Sequence, residues 1–388
     1  MNTFELDRAC VAATYNRAPV EFVSGDGAIL TDVDGREYID MGSGIAVNGL
    51  GHNDPVWKQA VTDQAGRIAH ASNLYYTAPQ ARLAHLLCSR TGMKKVFFGN
   101  SGAEANECAI KVARKYAADR CGDEVRPVIV TLEGSFHGRT LATLAATGQD
   151  AFHHTFGPFP PGFRTVRPGD LDGMRAAFDK GDVAGVLMEM VQGEGGVNAL
   201  DPAFVQQTAR MAREHDALVM VDEVQTGNGR TGTYCAWEQF GIVPDVMTTA
   251  KGLGGGLPIG ACLIGEKAQD TLTPGSHGST FGGNPIACAG AISIAERIDE
   301  ALLAGVRERS RRIREGLTDA PGILGVTGLG LMLGVQTEKP AAQVLTACRE
   351  MGVIVLTAKT RVRLLPPLNI DMELLDKAIK IIREAAKP

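Results

Sequence analysis

The sequence has no C-x-x-C pair, and its eight cysteines (Cys10, Cys88, Cys108, Cys121, Cys235, Cys262, Cys288 and Cys348) are scattered without a cysteine and histidine cluster at zinc spacing. That argues against a structural zinc site or a disulfide framework, and the thiols read as reduced. His153 and His154 are adjacent, a spacing that does not bring two side chains onto one metal, so no metal is expected. Basic clusters are missing and the net charge is -5, which argues against nucleic acid as the main partner. No apolar run approaches the ~20 residues of a membrane helix. The N-terminal "MNTFELDRAC" is polar and acidic where a secretory signal has a basic start and an apolar core, so the expected location is cytoplasmic. Internal repeats, low-complexity tracts and Pro-rich linkers are absent too, and domain borders must be read from the order of elements.

What is present is length and apolar content. A chain of 388 residues, 44% hydrophobic, can bury a large core and divides into two domains on size alone, with small molecules as the expected partners. Short apolar runs followed by turn residues recur in "KKVFFGNSG", "RPVIVTLEG", "AGVLMEMVQG", "ALVMVDEVQTG" and "GACLIG". Each suits a buried strand, and helical patterns lie between several of them, such as Ala105, Ala109, Val112, Ala113 and Tyr116. Alternation of this kind predicts an α/β domain with a mainly parallel sheet and ligands at the strand C-terminal ends. After about residue 285 the pattern changes to a long helical stretch, Ala287 to Arg314, then short strands and a final helix from Met372 to Ala386. We read residues 49–285 as a large domain, 286–388 as a smaller α+β domain, and 1–48, with a hairpin turning at Asp34-Gly35, as a segment packing on the latter.

One lysine stands out. In "VMTTAKGLGGGLPIGA", Lys251 follows apolar residues and precedes Gly252, Gly254, Gly255 and Gly256, with no acidic neighbour. The ordinary alternative is a solvated amine on a flexible turn. The chemical one is a buried amine whose pKa is lowered, poised to form a Schiff base with a carbonyl group.

If the carbonyl belongs to pyridoxal phosphate, three further parts are needed, and each has a candidate at a strand end. "NSGAEANE" places Asn100, Ser101, Gly102 and Ala103 where a strand opens a helix, a ready anion site; an ordinary capping box of Ser101 and Glu104 explains the segment equally well. Asp222, after five apolar positions in "ALVMVDEVQTG", suits a pyridinium nitrogen or, alternatively, a helix cap. Phe136 in "LEGSFHGRT" suits a ring platform or a core position; His137 beside it is given no chemistry. Arg139 suits a carboxylate held by two parallel hydrogen bonds, or a surface ion pair.

Taken together, "GDGAILTDVDGREYIDMGSGIAVNGLGH", "NSGAEANECAIKVAR", "FHGRT", "QGEGG", "DEVQTGNGRTG", "KGLGGGLPIGA", "STFGGNP" and "VRLLPPL" resemble the class III, fold-type I pyridoxal-phosphate aminotransferases that act on ω-amino groups, over nearly the whole chain. The resemblance is closest to the branch that uses acetylated ornithine. It implies a large domain with a mixed, mainly parallel sheet flanked by helices plus a smaller α+β domain. It implies that Lys251 holds the cofactor and shuttles the proton, that Asp222 pairs with the ring nitrogen, that Gln225 lies near the ring hydroxyl and that Phe136 stacks on the ring. Ser101, Gly102 and Ala103 would bind the phosphate, joined by Thr280 from the neighbouring subunit of a homodimer, with Ser279 beside the substrate.

The implied reaction moves the δ-amino group of N-acetylornithine to 2-oxoglutarate, yielding N-acetylglutamate 5-semialdehyde and glutamate, in arginine biosynthesis. The two substrates place their carboxylates differently. The resemblance assigns the distal carboxylate to Arg139, the one near the reacting carbon to Arg363, and to Glu194 the task of masking Arg363 while the ω-amine reacts. A permanent structural salt bridge is the alternative for that pair. Met190 stands where relatives commonly have proline, Asn228 where they have methionine, and Ile45 where ornithine aminotransferases have tyrosine, which tilts the reading towards an acylated ornithine. N-succinyldiaminopimelate, succinylornithine, ornithine and 4-aminobutyrate are the other donors considered. An aminomutase or racemase and a non-catalytic binding protein are the rivals from other classes.

Overall fold

The computed structural model describes residues 1–122 and 127–388. Near the N-terminus, β1 (Phe22–Asp26), β2 (Ile29–Asp32) and β3 (Glu37–Asp40) form an antiparallel meander. Its β2–β3 turn falls at Asp34-Gly35 as the sequence predicts. Gly35 takes φ +79°, a conformation that favours glycine, and Asp32 Oδ1 accepts from the N–H groups of Asp34 (3.0 Å) and Arg36 (2.9 Å).

The large sheet follows from the apolar runs. Its strands are β4 (Lys95–Gly99), β5 (Val128–Leu132), β6 (Phe163–Val166), β7 (Val183–Met188) and, beyond a small hairpin of β8 (Val191–Gln192) and β9 (Asn198–Ala199), β10 (Leu218–Asp222), β11 (Val246–Thr249) and β12 (Gly260–Ile264). The order is β4-β12-β11-β10-β7-β5-β6. β10 runs parallel to β7 and β11, and β5 parallel to β6 and β7, while β12 is antiparallel to β11 and β4. The sheet is therefore mixed and mainly parallel, and every residue of β5, β10, β11 and β12 is buried, as expected when helices cover both faces. One of those helices, Gly102–Cys121, buries Ala105, Cys108, Ala109, Val112, Ala113 and Tyr116, the periodicity visible in the sequence. The chain enters it from β4, so the helix N-terminus lies at the strand C-terminal end.

Towards the C-terminus, β13 (Ile323–Leu329), β14 (Met332–Thr337), β16 (Leu356–Ala358) and β17 (Arg361–Leu364) make a second sheet in the order β13-β14-β17-β16, whereas β15 (Val353–Ile354) pairs in parallel with β3. Distant parts of the chain thus share one sheet. Ile39 and Met41 pack in one core with Leu333, Val362 and Ile379. The final helix spans Met372–Ala386, capped by Asp371.

The expected single helical stretch from Ala287 to Arg314 is two helices, Pro285–Ala295 and Glu300–Leu317. Asp299 interrupts it by capping the N–H of Leu302 (2.9 Å), and Arg297 turns aside to grip Asp54 with both guanidinium ends (2.8 Å each). Among the described residues no helix is long and apolar enough to cross a membrane.

Candidate active site

A cavity of about 430 Å³ opens where β4, β5, β7, β10 and β11 end. Its floor is assembled from loops, because each parallel strand delivers its next residues to the same edge.

From β4 come Asn100 and Ser101, then the helix Gly102–Cys121. Ser101 Oγ caps the N–H of Glu104 (3.1 Å), but the expected capping box is not completed, because Glu104 Oε2 accepts from the N–H and Nδ2 of Asn100 instead of the Ser101 N–H. The N–H groups of Gly102 and Ala103 belong to the first turn and have no intrahelical carbonyl to meet. Both residues line the cavity, so the capped helix start also presents free N–H groups to it. Glycine is required at 102 because a Cβ there would lie 2.6 Å from Val224 Cγ1.

β10 delivers Asp222, whose carboxylate is 4% exposed. Its Oδ2 accepts from Asn106 Nδ2 (2.7 Å) and pairs with His137 Nδ1 (2.8 Å); its Oδ1 accepts from the N–H of Val224 (3.0 Å). Asn106 is fixed in turn by Thr248 Oγ1, which donates to its Oδ1 (2.7 Å), and by the carbonyl of His137 (2.8 Å). The carboxylate is thus held rigidly, and Oδ1 keeps a lone pair for a further donor.

β11 leads to Lys251, which sits in a short 3-10 turn, Lys251–Leu253, at φ +39°. That left-handed value is a strained one for a side-chain-bearing residue, of the kind concentrated at functional sites. Burial pushes the pKa of its amine down, opposed by the charges of Asp222, Glu194 and Glu189 and assisted by that of Arg363. Burial thus moves the amine towards its neutral, nucleophilic form.

Phe136, Gly138 and Arg139 enter from the loop after β5. Arg139 is exposed and lies 4.2 Å from the ring centroid of Phe152 and 5.5 Å from that of Phe136, with no carboxylate paired to it among the described residues. At the other side, Arg363 on β17 donates through Nη1 to Glu194 Oε1 (2.5 Å) and Gln225 Oε1 (3.3 Å). Gln225 lines the cavity, so the pair borders it. Arg363 is 4% exposed, and its Nε is buried without a partner among the described residues.

The sequence matches the family described as Aminotransferase class-III over residues 10–386. The chain belongs to that family. It is 46% identical over 382 residues to the acetylornithine aminotransferase of Haemophilus ducreyi, covering 98% of this chain and 97% of that protein. The acetylornithine aminotransferase of Aquifex aeolicus is 44% identical over 372 residues, 95% and 98% of the two chains. Among solved structures, N-acetylornithine aminotransferase from Stenotrophomonas maltophilia K279a superposes with a TM-score of 0.86 at 37% identity, covering 98% of each chain. Ornithine aminotransferase from Toxoplasma gondii ME49 superposes with a TM-score of 0.94 at 30% identity, covering 98% of this chain and 93% of that one. Backbone likeness does not follow donor identity, so in a class-III aminotransferase the donor must be argued from the site.

Within this class-III aminotransferase the candidates named from sequence fall into three places. Ser101, Gly102, Ala103, Phe136, Arg139, Asp222, Gln225 and Lys251 line one cavity. Glu194 and Arg363 pair at its border. Ser279 Oγ accepts from Asn100 Nδ2 (3.2 Å), while Thr280 lies outside the cavity, in a small depression with His70, Asn73 and Gln80. Three residues escaped the sequence reading. His137 was given no chemistry and is bonded to Asp222; Asn106 bridges Asp222 and β11; Glu189 lines the cavity at the end of β7. The signal for Asn106 was a polar residue beside the buried helix face, and for Glu189 a carboxylate closing an apolar strand.

Proposed function

We propose that this class-III aminotransferase moves the δ-amino group of N-acetylornithine to 2-oxoglutarate, giving N-acetylglutamate 5-semialdehyde and glutamate, a step of arginine biosynthesis. The observation that carries the reading is the Glu194–Arg363 pair at the border of the Lys251 cavity. A site that serves one substrate with a carboxylate beside the reacting carbon, and another without, needs a cation that can be masked. The acetylornithine aminotransferases to which the chain is similar support the donor. So does Ile45, two residues before the cavity residue Val47, where a tyrosine would mark ornithine as donor.

The residues fit pyridoxal phosphate, which the family implies. A buried amine with a lowered pKa, a fixed carboxylate with a free lone pair, an aromatic face and the N–H groups of a helix start converge on one cavity. When bound, that cofactor supplies a carbonyl that condenses with amines and a ring that takes up electrons as a proton leaves carbon. Lys251 Nζ would hold the cofactor and then carry the proton to and from the reacting carbon. Asp222 would keep the ring nitrogen protonated. Gly102, Ala103 and Ser101 would hold the phosphate, Phe136 would cover the ring and Gln225 would serve the ring hydroxyl. Arg139 takes the distal carboxylate of either substrate, and Arg363 takes the nearer carboxylate of glutamate once Glu194 swings aside.

The working unit is a homodimer in which Thr280 and the loop around Ser279 complete the partner's phosphate site. In support, Thr280 does not line its own chain's cavity, and Leu74, Tyr75, Tyr76 and Phe281 are 88%, 70%, 106% and 60% exposed, exposed apolar side chains of the kind that mark an interface. The division at residues 48 and 285 and a cytoplasmic location complete the reading.

The test is the visible absorption of the purified, cofactor-loaded protein. Adding N-acetylornithine without a keto acid should bleach the band of the lysine-linked cofactor, and 2-oxoglutarate should restore it. A band unmoved by N-acetylornithine but bleached by another ω-amine would sink the donor and keep the class.

A further inference from the structure

Glu189 belongs to neither carboxylate-reading device, yet it touches the backbone of both. It leaves β7 at its C-terminal end and is 6% exposed. Its Oε1 accepts from the N–H of Phe136 (2.8 Å), on the loop that carries Arg139 three residues later. Its Oε2 accepts from the N–H of Gly193 (3.3 Å), the residue immediately before Glu194. The same two segments are tied once more by Gln192 Nε2, which donates to the carbonyl of Glu133 (2.8 Å). Of these two ties between the segments, the Glu189 bond is the one that reaches the residue next to Glu194; within its own turn the Gly193 carbonyl also accepts from the N–H of Val197 (3.3 Å) and the Gly195 carbonyl from Asn198 Nδ2 (3.0 Å).

A buried carboxylate bonded to two backbone amides, with no lysine or arginine bonded to it among the described residues, is costly and calls for a reason. Burial pushes its pKa up, against the charge of His137 and with that of Asp222. Two amides converge on it, and only a carboxylate can accept at both oxygens. An amide side chain of the same shape must turn an NH₂ towards one of them, and the longer bond, to Gly193, is the one that yields.

We propose that Glu189 is a positioning residue that latches the Glu194 turn against Arg363, and so sets the balance between the substrate that needs Arg363 masked and the one that needs it open. The inference rests on the two-substrate reading above. Where the shorter bond to Phe136 is kept and the longer one to Gly193 is lost, the Arg139 loop stays in place and the Glu194 turn is loosened, which favours ligands with a carboxylate at Arg363 and leaves ligands held by Arg139 alone unaffected.

The experiment is calorimetry on the cofactor-loaded protein with two amine-free probes: glutarate, which has carboxylates for both arginines, and N-acetylnorvaline, which has only the distal one. Glu189→Gln should tighten glutarate by about three- to tenfold, the worth of one hydrogen bond, and leave N-acetylnorvaline unchanged. Glu194→Gln should also tighten glutarate, and Glu189→Gln added to it should bring no further gain, because both act on one mask. Glu189→Asp, which keeps the charge but is one methylene too short to span both amides, gives the same pattern if the glutamine variant does not fold. Equal shifts for both probes, no shift, or additive gains in the double variant overturn the latch. So does a failure of glutarate to bind Glu194→Gln. If N-acetylornithine leaves the wild-type band untouched while the probes follow the expected pattern, the donor assignment fails and the latch stands.

Discussion

His137 and Asp222, 85 residues apart in the chain, meet at 2.8 Å through Nδ1 and Oδ2, with side chains 0% and 4% exposed. Together with Asn106 the histidine fixes the plane of the carboxylate, which would otherwise be free to rotate about its terminal bond. His137→Phe keeps the bulk and removes the bond. Since hydrogen bonds to a charged group contribute about 1.5–3 kcal/mol, cofactor affinity should fall roughly 10- to 150-fold. Titration of cofactor-free protein with pyridoxal phosphate checks this, and an unchanged dissociation constant would show that Asn106 alone suffices.

Lys251→Ala should abolish both turnover and the visible band of the lysine-linked cofactor. Lys251→Met tests the electrostatics separately. The folded-state pKa of Lys251 is depressed by burial, so between that value and the ordinary lysine pKa the unfolded chain binds a proton that the folded chain does not. Stability of the cofactor-free protein must then rise with pH through that window. Replacing the amine with a thioether of similar length should raise the thermal midpoint of the cofactor-free protein at neutral pH and remove this alkaline gain. A lower midpoint would show that the amine is better solvated than its surroundings suggest.

Glu223 offers the opposite sign. It is fully buried, accepts from Thr226 Oγ1 (2.5 Å) and the N–H of Trp237 (2.9 Å), and burial pushes its carboxyl up to about 7. The folded chain holds a proton that the unfolded chain releases near its ordinary pKa of about 4.3. This group therefore makes the fold less stable as pH rises from about 4.3 to 7. Glu223→Gln should flatten that part of the stability profile measured by urea unfolding, and an unaltered slope would refute the assignment.

The two arginines should separate in steady-state kinetics. Arg363→Lys keeps a charge but loses the fork. Its Michaelis constant for the keto acid should rise by roughly tenfold to a hundredfold, while the constant for N-acetylornithine is spared. Arg139→Lys should weaken both substrates, since both present a distal carboxylate. Parallel losses in the Arg363 variant would return the Glu194–Arg363 pair to a purely structural role.

Much of this site was legible because its parts lie at strand ends. Lys251, Asp222 and the Ser101 cap each follow an apolar run, and a parallel sheet brings such positions to one edge whatever the length of chain between them. β6 was harder to read: "FRTV" is four residues long, with an arginine and a threonine breaking the apolar run. The break between the helices at Ala295 and Glu300 was hidden because Arg297 leaves the helix for Asp54, 243 positions away. Asn106 and His137 stayed obscure for the same reason. Their partner Asp222 is 116 and 85 residues distant, and a polar residue on a buried helix face does not announce which strand it will meet.

Asn228 is the departure from the family pattern that the structure explains best. It is buried at φ +57°, where asparagine is tolerated better than most side chains. Its Nδ2 donates to Thr249 Oγ1 (2.9 Å) and to the carbonyl of Ala250 (3.3 Å), the residue before Lys251. It also borders a cavity of about 10 Å³ shared with Leu87, Tyr234 and Cys235. Asn228→Met, the residue expected from relatives, removes both bonds and places a bulkier side chain in a left-handed conformation, while its sulfur can fill part of the cavity. Two neutral hydrogen bonds outweigh a void that small, so the variant should lose about 1–2 kcal/mol in urea unfolding. An unchanged or higher midpoint would mean that filling the cavity dominates, and that asparagine at 228 holds the Lys251 strand at a cost in stability.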